Sequence, residues 1–233
     1  MRFLVIAVLA AMPAIALAQS TTQTAASMPA PDPAWRVPEV LAFIGVKPGD
    51  KIADVVGGRL TASLARAVGP TGKVYAVETA EVAKAHPEIL GLMHGLAAQS
   101  PNVVVSADPV MTPLPQGLDM VFIRQNYHDL YDKFMGPADV AAFNRQAYAA
   151  LKPGGVYVVL DHAAAAGSGI GATETLHRID PERVKSDALA AGFKFDGESK
   201  ILANPADDHT KNVFAPEIRG HTDQFLFRFR KPS

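Results

Sequence analysis

The chain has 233 residues, with 22 basic and 23 acidic side chains, a formal net charge of −1 and no cysteine. The balanced charge and the lack of any Lys/Arg run exclude a basic face for nucleic acids or membranes. Without cysteine there are no disulfides, no thiolate catalysis and no cysteine–zinc site. A small molecule is therefore the expected partner, and the sequence gives no indication of the oligomeric state.

The first segment of the chain has the pattern of a secretory signal peptide. Residues 1–18 combine one positive charge, an apolar run and a small-x-small ending before Gln19. Cleavage is expected after Ala18 and leaves no stable membrane anchor, because the apolar run is shorter than the roughly 20 residues of a spanning helix. Residues 19–33, rich in Ser, Thr, Ala and Pro, are expected to be a flexible leader. Residues 34–233 then form one domain, exported and, in a Gram-negative bacterium, periplasmic.

The rest of the chain alternates apolar strands with helices. It opens with a βαβ unit, in which strands at 51–56 and 73–77 flank a glycine turn and a helix at 60–68. Further helices are predicted at 35–46, 80–98 and 138–151, further strands at 102–106, 118–123 and 156–160, and a proline-rich loop at 109–115. This alternation predicts an α/β fold with a doubly wound, mostly parallel sheet.

The last 70 residues change character. A Gly/Ala-rich loop at 163–172 leads to a helix with Asp180 as its N-cap and Pro181 at its first position. Two strands follow at 193–202 and 224–230 with no helix between them, so we expect them to pair antiparallel. The predicted sheet thus has seven strands, one of them antiparallel near the edge.

The crevice above the first turn is the expected ligand site, because a glycine turn, a helix N-terminus and a strand-closing carboxylate meet there. Gly57 and Gly58 form the turn, and Glu78 closes the second strand. A carboxylate at this position can accept both ribose hydroxyls of a nucleoside-containing ligand. The alternative for Glu78 is a helix-capping or solvated acid.

This order of elements resembles the class I S-adenosylmethionine-dependent methyltransferases, with their Rossmann-like fold, over about residues 37–232. The resemblance is carried by the turn DVVGG, by Glu78, by Asp108 after the third strand and by the helix stop LKPGG. The segments NYHDLY, LDH, TLHRIDPERVK, GFK, LANPADDHT and IRGHTDQFLFRFRKP are similar to a group of exported predicted bacterial methyltransferases. The glycine motif is degenerate, since Val56 and Leu60 stand where the family usually has glycine.

The resemblance implies S-adenosyl-L-methionine as cofactor and an unidentified small molecule as methyl acceptor. It places Asp54, Gly57 and Gly58 at the methionine end of the cofactor. It also places Glu78 at the ribose and Asp108 near the adenine.

Polar side chains follow the fourth and fifth strands and lie in the loop beyond, so the predicted sheet brings them to one mouth. A histidine with a near-neutral pKa can remove a proton from a nitrogen or oxygen nucleophile. His128 or His162 is expected to be this base, with Asp161 orienting it. The expected substrate-binding residues are Asn126, Tyr127, His177 and Arg178. An arginine there could hold an acidic group, and ordinary loop hydrogen bonding is the alternative for the whole cluster.

Two other functions are compatible with the sequence. One is a metal-dependent hydrolase or lyase that uses the His/Asp cluster, for which no tight ligand spacing such as HExxH is present, so no metal ligand is assigned. The other is a non-catalytic binding protein on the same fold. Outside the cluster, a solvated loop is expected to hold Asp207, Asp208 and His209. Arg219 and Asp223 are expected either to form an ion pair with each other or to contact substrate. A helix surface is the expected place of His86 and His94.

Overall fold

The computed structural model describes residues 32–58, 60–136 and 138–233. The predicted signal peptide, all but the last two residues of the predicted leader, and Arg59 beside the glycine turn lie outside the described residues. No helix within the described ranges has the length and apolar character needed to cross a membrane.

A single seven-stranded sheet organises the described chain. Its strands are β1 (Lys51–Val55), β2 (Lys73–Thr79), β3 (Val103–Asp108), β4 (Leu118–Arg124), β5 (Leu151–His162), β6 (Lys194–Ser199) and β7 (Gln224–Arg230). Their order across the sheet is β3-β2-β1-β4-β5-β7-β6. Neighbours among β1 to β5 pair in parallel, whereas β7 runs antiparallel to both β5 and β6. The predicted α/β fold, with one antiparallel strand near the edge, is confirmed.

Helices connect the strands and cover both faces. They are α1 (Val37–Ile44), α2 (Thr61–Val68), α3 (Ala80–Ala85), α4 (Pro87–Gln99), α5 (Val140–Ala150), α6 (Thr173–Leu176) and α7 (Pro181–Ala190). Short 3-10 helices lie at Pro33–Trp35, His128–Tyr131 and Lys133–Met135. The single helix predicted at 80–98 is two helices, because Pro87 disfavours helical geometry at the residue before it, and His86 has φ −135° and ψ 65°.

Residues 151–155 differ from their prediction as a turn between helix and strand. The helix α5 ends at Ala150, as the motif predicts, but the chain enters β5 at once, at Leu151. Gly154 takes φ 75° within this strand, and the pairing of β4 with β5 shifts register between Leu118 and Met120. Gly154 and Gly155 therefore belong to the irregular first residues of β5.

Burial on both faces explains the apolar runs of the central strands. Consecutive residues of a strand point to opposite faces: Ile52 packs in the cluster of α1, α2 and α4, and Ala53 in the cluster of α5 and α7. Each buried aliphatic side chain contributes roughly 1.5–3 kcal/mol to stability. Parallel strands fixed in this way bring the carboxyl ends of β1, β2, β4 and β5 to one edge, where the polar residues collect.

Candidate active site

A cavity of about 800 Å³ opens at this edge of the sheet, a size suited to a small-molecule ligand. Its walls come from the turn after β1, the junction of α3 and α4, and the segments that follow β4 and β5. The predicted site residues that line it are Asp54, Gly57, Gly58, Asn126, His128, His162 and His177. The sheet therefore brings most of the predicted residues to one mouth.

The turn after β1 holds its shape through backbone conformation and one short hydrogen-bond chain. Val56 adopts φ 50°, a left-handed conformation that is unfavourable for a β-branched residue. The Gly58 amide donates to the hydroxyl of Thr61 at 3.0 Å, and that hydroxyl donates to the Asp54 carboxylate at 2.5 Å. The turn is thus tied both to its own strand and to the first residue of α2.

Gly57 lies directly against the carboxylate of Glu78. A Cβ atom at this position would lie 2.9 Å from the terminal methyl of Met93 and 3.3 Å from Oε1 of Glu78. A side chain at position 57 would therefore have to displace the end of Met93 and crowd the carboxylate, which glycine avoids.

Glu78 is completely buried, and within the described ranges neither carboxylate oxygen has a hydrogen-bond partner. Burial, together with the nearby Asp54 carboxylate, raises the pKa of Glu78 to about 8. Buried carboxylates without donors are rare because their desolvation is not compensated. Glu78 therefore lies behind Gly57, which lines the cavity, and offers two acceptors there once it is ionised.

Asp54 is the second buried acid of this half of the cavity. Burial raises its pKa to about 7, although the Thr61 hydroxyl and the positive charge of Arg124 both favour the ionised form. The guanidinium of Arg124 itself stacks over the ring of Trp35, 3.9 Å from its centroid. Trp35 also lines the cavity, so the N-terminal segment forms part of its wall.

The other half of the cavity is built around the Asp161 carboxylate, which is fully buried at the end of β5. It accepts the backbone amide of His128 at 2.9 Å and that of His162 at 2.7 Å. The His128 ring contacts it as well, with Nδ1 2.8 Å from Oδ1. Asp161 thus orients His128, which is the positioning role predicted for it.

The second ring nitrogen of His128 faces Asp129, with Nε2 3.2 Å from Oδ1. Burial alone would lower the pKa of His128, but the carboxylates of Asp161 and Asp129 outweigh this effect and raise it to about 10. Burial would likewise raise the pKa of Asp129, but hydrogen bonds from His128 and His177 lower it to about 2. His128 is accordingly a charged donor at neutral pH, and this arrangement disfavours it as the base.

His162 is the neutral histidine of the pair. Burial lowers its pKa to about 3, and the positive charges of His128, Arg124 and Arg178 act in the same direction against the opposing effect of Asp161. Its Nδ1 lies 2.7 Å from the hydroxyl of Thr222. His162 is therefore uncharged at neutral pH, but so low a pKa makes it a weak base. Its position at the cavity wall suits it to accept a hydrogen bond rather than to keep a proton.

Comparison with known proteins identifies this architecture. No protein-family model matches the chain, and no curated protein matches its sequence. A SAM-dependent methyltransferase from Aquifex aeolicus is similar in structure, with a TM-score of 0.57 and 18% identity over 84% of this chain and 89% of that one. The N-methyltransferase NodS from Bradyrhizobium japonicum WM9 gives a TM-score of 0.56 with 13% identity over 87% of this chain and 98% of that one. The chain has the fold of the S-adenosylmethionine-dependent methyltransferases.

The methyltransferase fold is not tied to one reaction. The [4+2]-cyclase SpnF is also similar, with a TM-score of 0.56 and 18% identity over 85% of this chain and 80% of that one. The resemblance inferred from the sequence is confirmed for the fold, and the likeness to exported members stays a prediction.

Two predicted substrate-binding residues lie away from the cavity of this methyltransferase fold. Tyr127 is completely buried, and its hydroxyl contacts the Asn144 amide at 2.8 Å and the Asp187 carboxylate at 3.2 Å. Arg178 is also completely buried, and its guanidinium pairs with Asp207 at 2.8 Å. Both side chains are structural, so neither is available to a substrate.

Residues beyond the cavity differ from their predictions in several places. Asp108 lines a second cavity of about 390 Å³, separate from the one beside Glu78. Asp207 is buried with Arg178 rather than solvated. Asp223 pairs with His209 at 3.0 Å rather than with Arg219.

Several cavity residues were not assigned to the site from the sequence. These are His86, Glu88, Phe134, Val213 and Phe214. The break before Pro87 is a signal that could have placed His86 at a helix junction instead of on a helix face. The other four side chains reach the cavity through long-range packing that no local pattern reveals.

Proposed function

We propose that this chain is an S-adenosylmethionine-dependent methyltransferase acting on a small molecule. The observation that carries the proposal is the fully buried Glu78 carboxylate, which lacks a hydrogen-bond partner within the described part of the chain. It stands at the end of β2, beside the glycine turn and the large cavity. Ribose hydroxyls are the donors that this carboxylate lacks.

The residues of this half fit the cofactor. Glu78 would accept the ribose hydroxyls, Gly57 and Gly58 would let the backbone approach the ligand, and Asp54 would face its methionine end. When bound, S-adenosylmethionine supplies a methyl group on a positively charged sulfonium. Two buried acids with raised pKa values suit a positively charged ligand, because each becomes easier to ionise beside a cation.

The opposite half suits the methyl acceptor. His162, neutral and at the cavity wall, is placed to accept a hydrogen bond from a nitrogen or oxygen nucleophile and so to orient it. His128 is held between the carboxylates of Asp161 and Asp129, so it lines this wall in a fixed position. Asn126 and His177 complete this wall, so the chain's main contribution is to align the nucleophile.

The cofactor is tested by calorimetric titration of the protein with S-adenosylmethionine and S-adenosylhomocysteine. We expect saturable 1:1 binding that Glu78→Gln weakens at least tenfold. Glu88→Gln is the matched control, since Glu88 lines the same cavity but is exposed. Equal affinity of the two variants for S-adenosylhomocysteine would contradict the proposal that Glu78 accepts the ribose hydroxyls.

Catalysis is tested by release of S-adenosylhomocysteine from a panel of nitrogen and oxygen nucleophiles. His128→Ala and His162→Ala should both lower turnover, and His162→Ala should do so with little loss of stability. Full activity in both variants would show that neither His128 nor His162 contributes to methyl transfer. Cofactor binding without turnover of any acceptor would instead favour a non-catalytic binding protein.

We also propose that the protein is exported, on the strength of the signal pattern at 1–18. The mature chain should begin at Gln19, which mass spectrometry of the protein from its native cell envelope fraction would show. An intact N-terminus in the membrane fraction would indicate an uncleaved anchor.

A further inference from the structure

We propose that His128, Asp129 and His177 form a binding site for a divalent first-row transition metal ion at the acceptor end of the cavity. The three residues each offer one ligand atom, and these atoms all lie within 4.8 Å of one another. All three residues line the 800 Å³ cavity. The site is distinct from the cofactor half, which lies at the tips of β1 and β2.

The separations suit one shared ion. Nε2 of His128 lies 3.2 Å from Oδ1 of Asp129, and Nδ1 of His177 lies 3.8 Å from the same oxygen. Nitrogen and oxygen ligands bind such ions at about 2.1 Å, so two ligands of one ion lie about 3 Å apart when adjacent and about 4.2 Å when opposite. Both measured distances fall within that interval.

The neighbouring side chains hold the ligands in place. The buried carboxylate of Asp161 contacts Nδ1 of His128 at 2.8 Å, so Nε2 is the ring nitrogen that faces the site. The ion would take the place of the Nε2 proton between His128 and Asp129 and release it to solvent. A carboxylate behind a histidine is the usual outer partner of a metal-ligating imidazole. The ring of His177 packs between the ring of Phe214, at 5.0 Å, and the edge of His128, at 5.5 Å.

The ligand set indicates the class of metal. Two imidazoles and one carboxylate on one side of an ion suit Fe(II), Mn(II), Co(II) or Zn(II), whereas Mg(II) and Ca(II) prefer oxygen ligands alone. Three protein ligands leave coordination positions open toward the cavity. These positions would accept water or an oxygen atom of a hydroxyl- or carboxylate-bearing small molecule.

The link to the methyl acceptor rests on the proposed function, but metal binding does not. A metal-bound hydroxyl is more acidic than a free one, so an oxygen nucleophile at this site would lose its proton more readily. The site therefore points to an oxygen acceptor in the methyl transfer. Binding of the ion itself can be measured without any cofactor.

The test uses the whole chain, stripped of metal with EDTA and titrated with Co(II) by visible absorption and with Zn(II) by calorimetry. We expect one ion per chain and no saturable binding of Mg(II). His177→Ala should weaken binding at least tenfold, and its half-buried side chain at the cavity rim (29% exposed) makes loss of folding unexpected. Asp161→Asn should weaken binding about tenfold or more while keeping the 1:1 ratio.

His86→Ala is the matched control, because His86 lines the same cavity outside the cluster. Circular dichroism of each variant shows whether it is folded. If Asp161→Asn does not fold, the His177→Ala measurement alone decides whether the metal site exists. Absence of saturable Co(II) binding, or equal affinity in His177→Ala and His86→Ala, would overturn the site. Titration of S-adenosylhomocysteine on the same samples separates this failure from failure of the proposed cofactor.

Discussion

The buried acids in the two halves of the cavity differ in the direction of their pKa shifts and in their hydrogen-bond partners. At the tips of β1 and β2, Glu78 and Asp54 have raised pKa values, and among the described residues Glu78 has no donor at all. At the tips of β4 and β5, Asp161 accepts three nitrogen donors, and the pKa of Asp129 is lowered to about 2. Within the described ranges Glu78 has no hydrogen-bond donor, whereas Asp161 already has three.

This contrast indicates how each half works. A satisfied network fixes its side chains before any ligand arrives, which is the condition for orienting a reacting group. An unsatisfied acid instead gains its donors from the ligand, so its desolvation cost is offset only in the complex. The half at the tips of β4 and β5 is therefore preorganised, and the half at the tips of β1 and β2 depends on what it binds.

The largest expected effect comes from breaking the satisfied half. Asp161→Ala removes three hydrogen bonds and leaves His128 without its inner carboxylate, so the free energy of unfolding should fall by about 4 kcal/mol. Urea denaturation measures the change. Glu217→Gln, at an exposed ion pair with Lys211, should leave the midpoint unchanged. A loss no greater than that of the control would show that the network does not stabilise the fold.

The next effect is a pH dependence confined to the unsatisfied half. Folding raises the pKa of Glu78 from 4.5 to about 8. Between these values the unfolded chain has lost the proton and the folded chain keeps it, so this residue's contribution to stability falls as pH rises. Glu78→Gln removes that dependence. The stability difference between the two proteins should change by about 3 kcal/mol in favour of the variant from about pH 5 to about pH 7.5. A difference independent of pH would show that Glu78 is already ionised in the fold.

A third effect links that proton to ligand binding. Ribose hydroxyls donate best to the ionised carboxylate, so binding of S-adenosylhomocysteine at pH 7 should release a proton from Glu78. The dissociation constant should tighten as pH rises toward about 8, by at most about tenfold per pH unit. Calorimetry in buffers of different ionisation enthalpy measures the proton directly. Proton uptake on binding would contradict the assignment.

The smallest expected effect concerns the turn of the cofactor half. Val56→Gly relieves a left-handed conformation that costs about 1–2 kcal/mol and loses a buried side chain of similar worth. The two should nearly cancel, leaving a change below about 1 kcal/mol. Val74→Gly, a completely buried residue in the regular strand β2, should cost about 3 kcal/mol. Equal losses in the two variants would show that Val56 is not strained.

The fold was predictable because it depends on local patterns. Apolar runs marked each strand, and Asp180 with Pro181 marked the start of α7, where the Asp180 side chain accepts the Glu182 amide as an N-cap. The backbone conformation of the degenerate glycine motif could not be predicted from the sequence. Val56 keeps the left-handed backbone that glycine would favour, so the turn survives the loss of its glycine.

The site was only partly predictable, because the direction of a side chain after a strand end depends on distant partners. Tyr127 and His128 are neighbours in sequence, yet Tyr127 turns inward to Asp187, 60 residues away, while His128 faces the cavity. Arg178 is likewise taken by Asp207, 29 residues away. No spacing rule within the loop distinguishes such residues from their cavity-facing neighbours.

The buried pair of Arg178 and Asp207 has a consequence for how this protein can diversify. It fastens the chain segment that ends at Val213 and Phe214, since Arg178 also donates to the backbone oxygen of Lys211. Arg178 and Asp207 thus hold this segment in place, whereas Val213 and Phe214 line the cavity. Substitutions at 213 and 214 can therefore enlarge or narrow the cavity while the Arg178–Asp207 pair stays intact. A change at Phe214 also removes the ring contact with His177, so Val213 is the first position to vary when redirecting the protein toward new molecules.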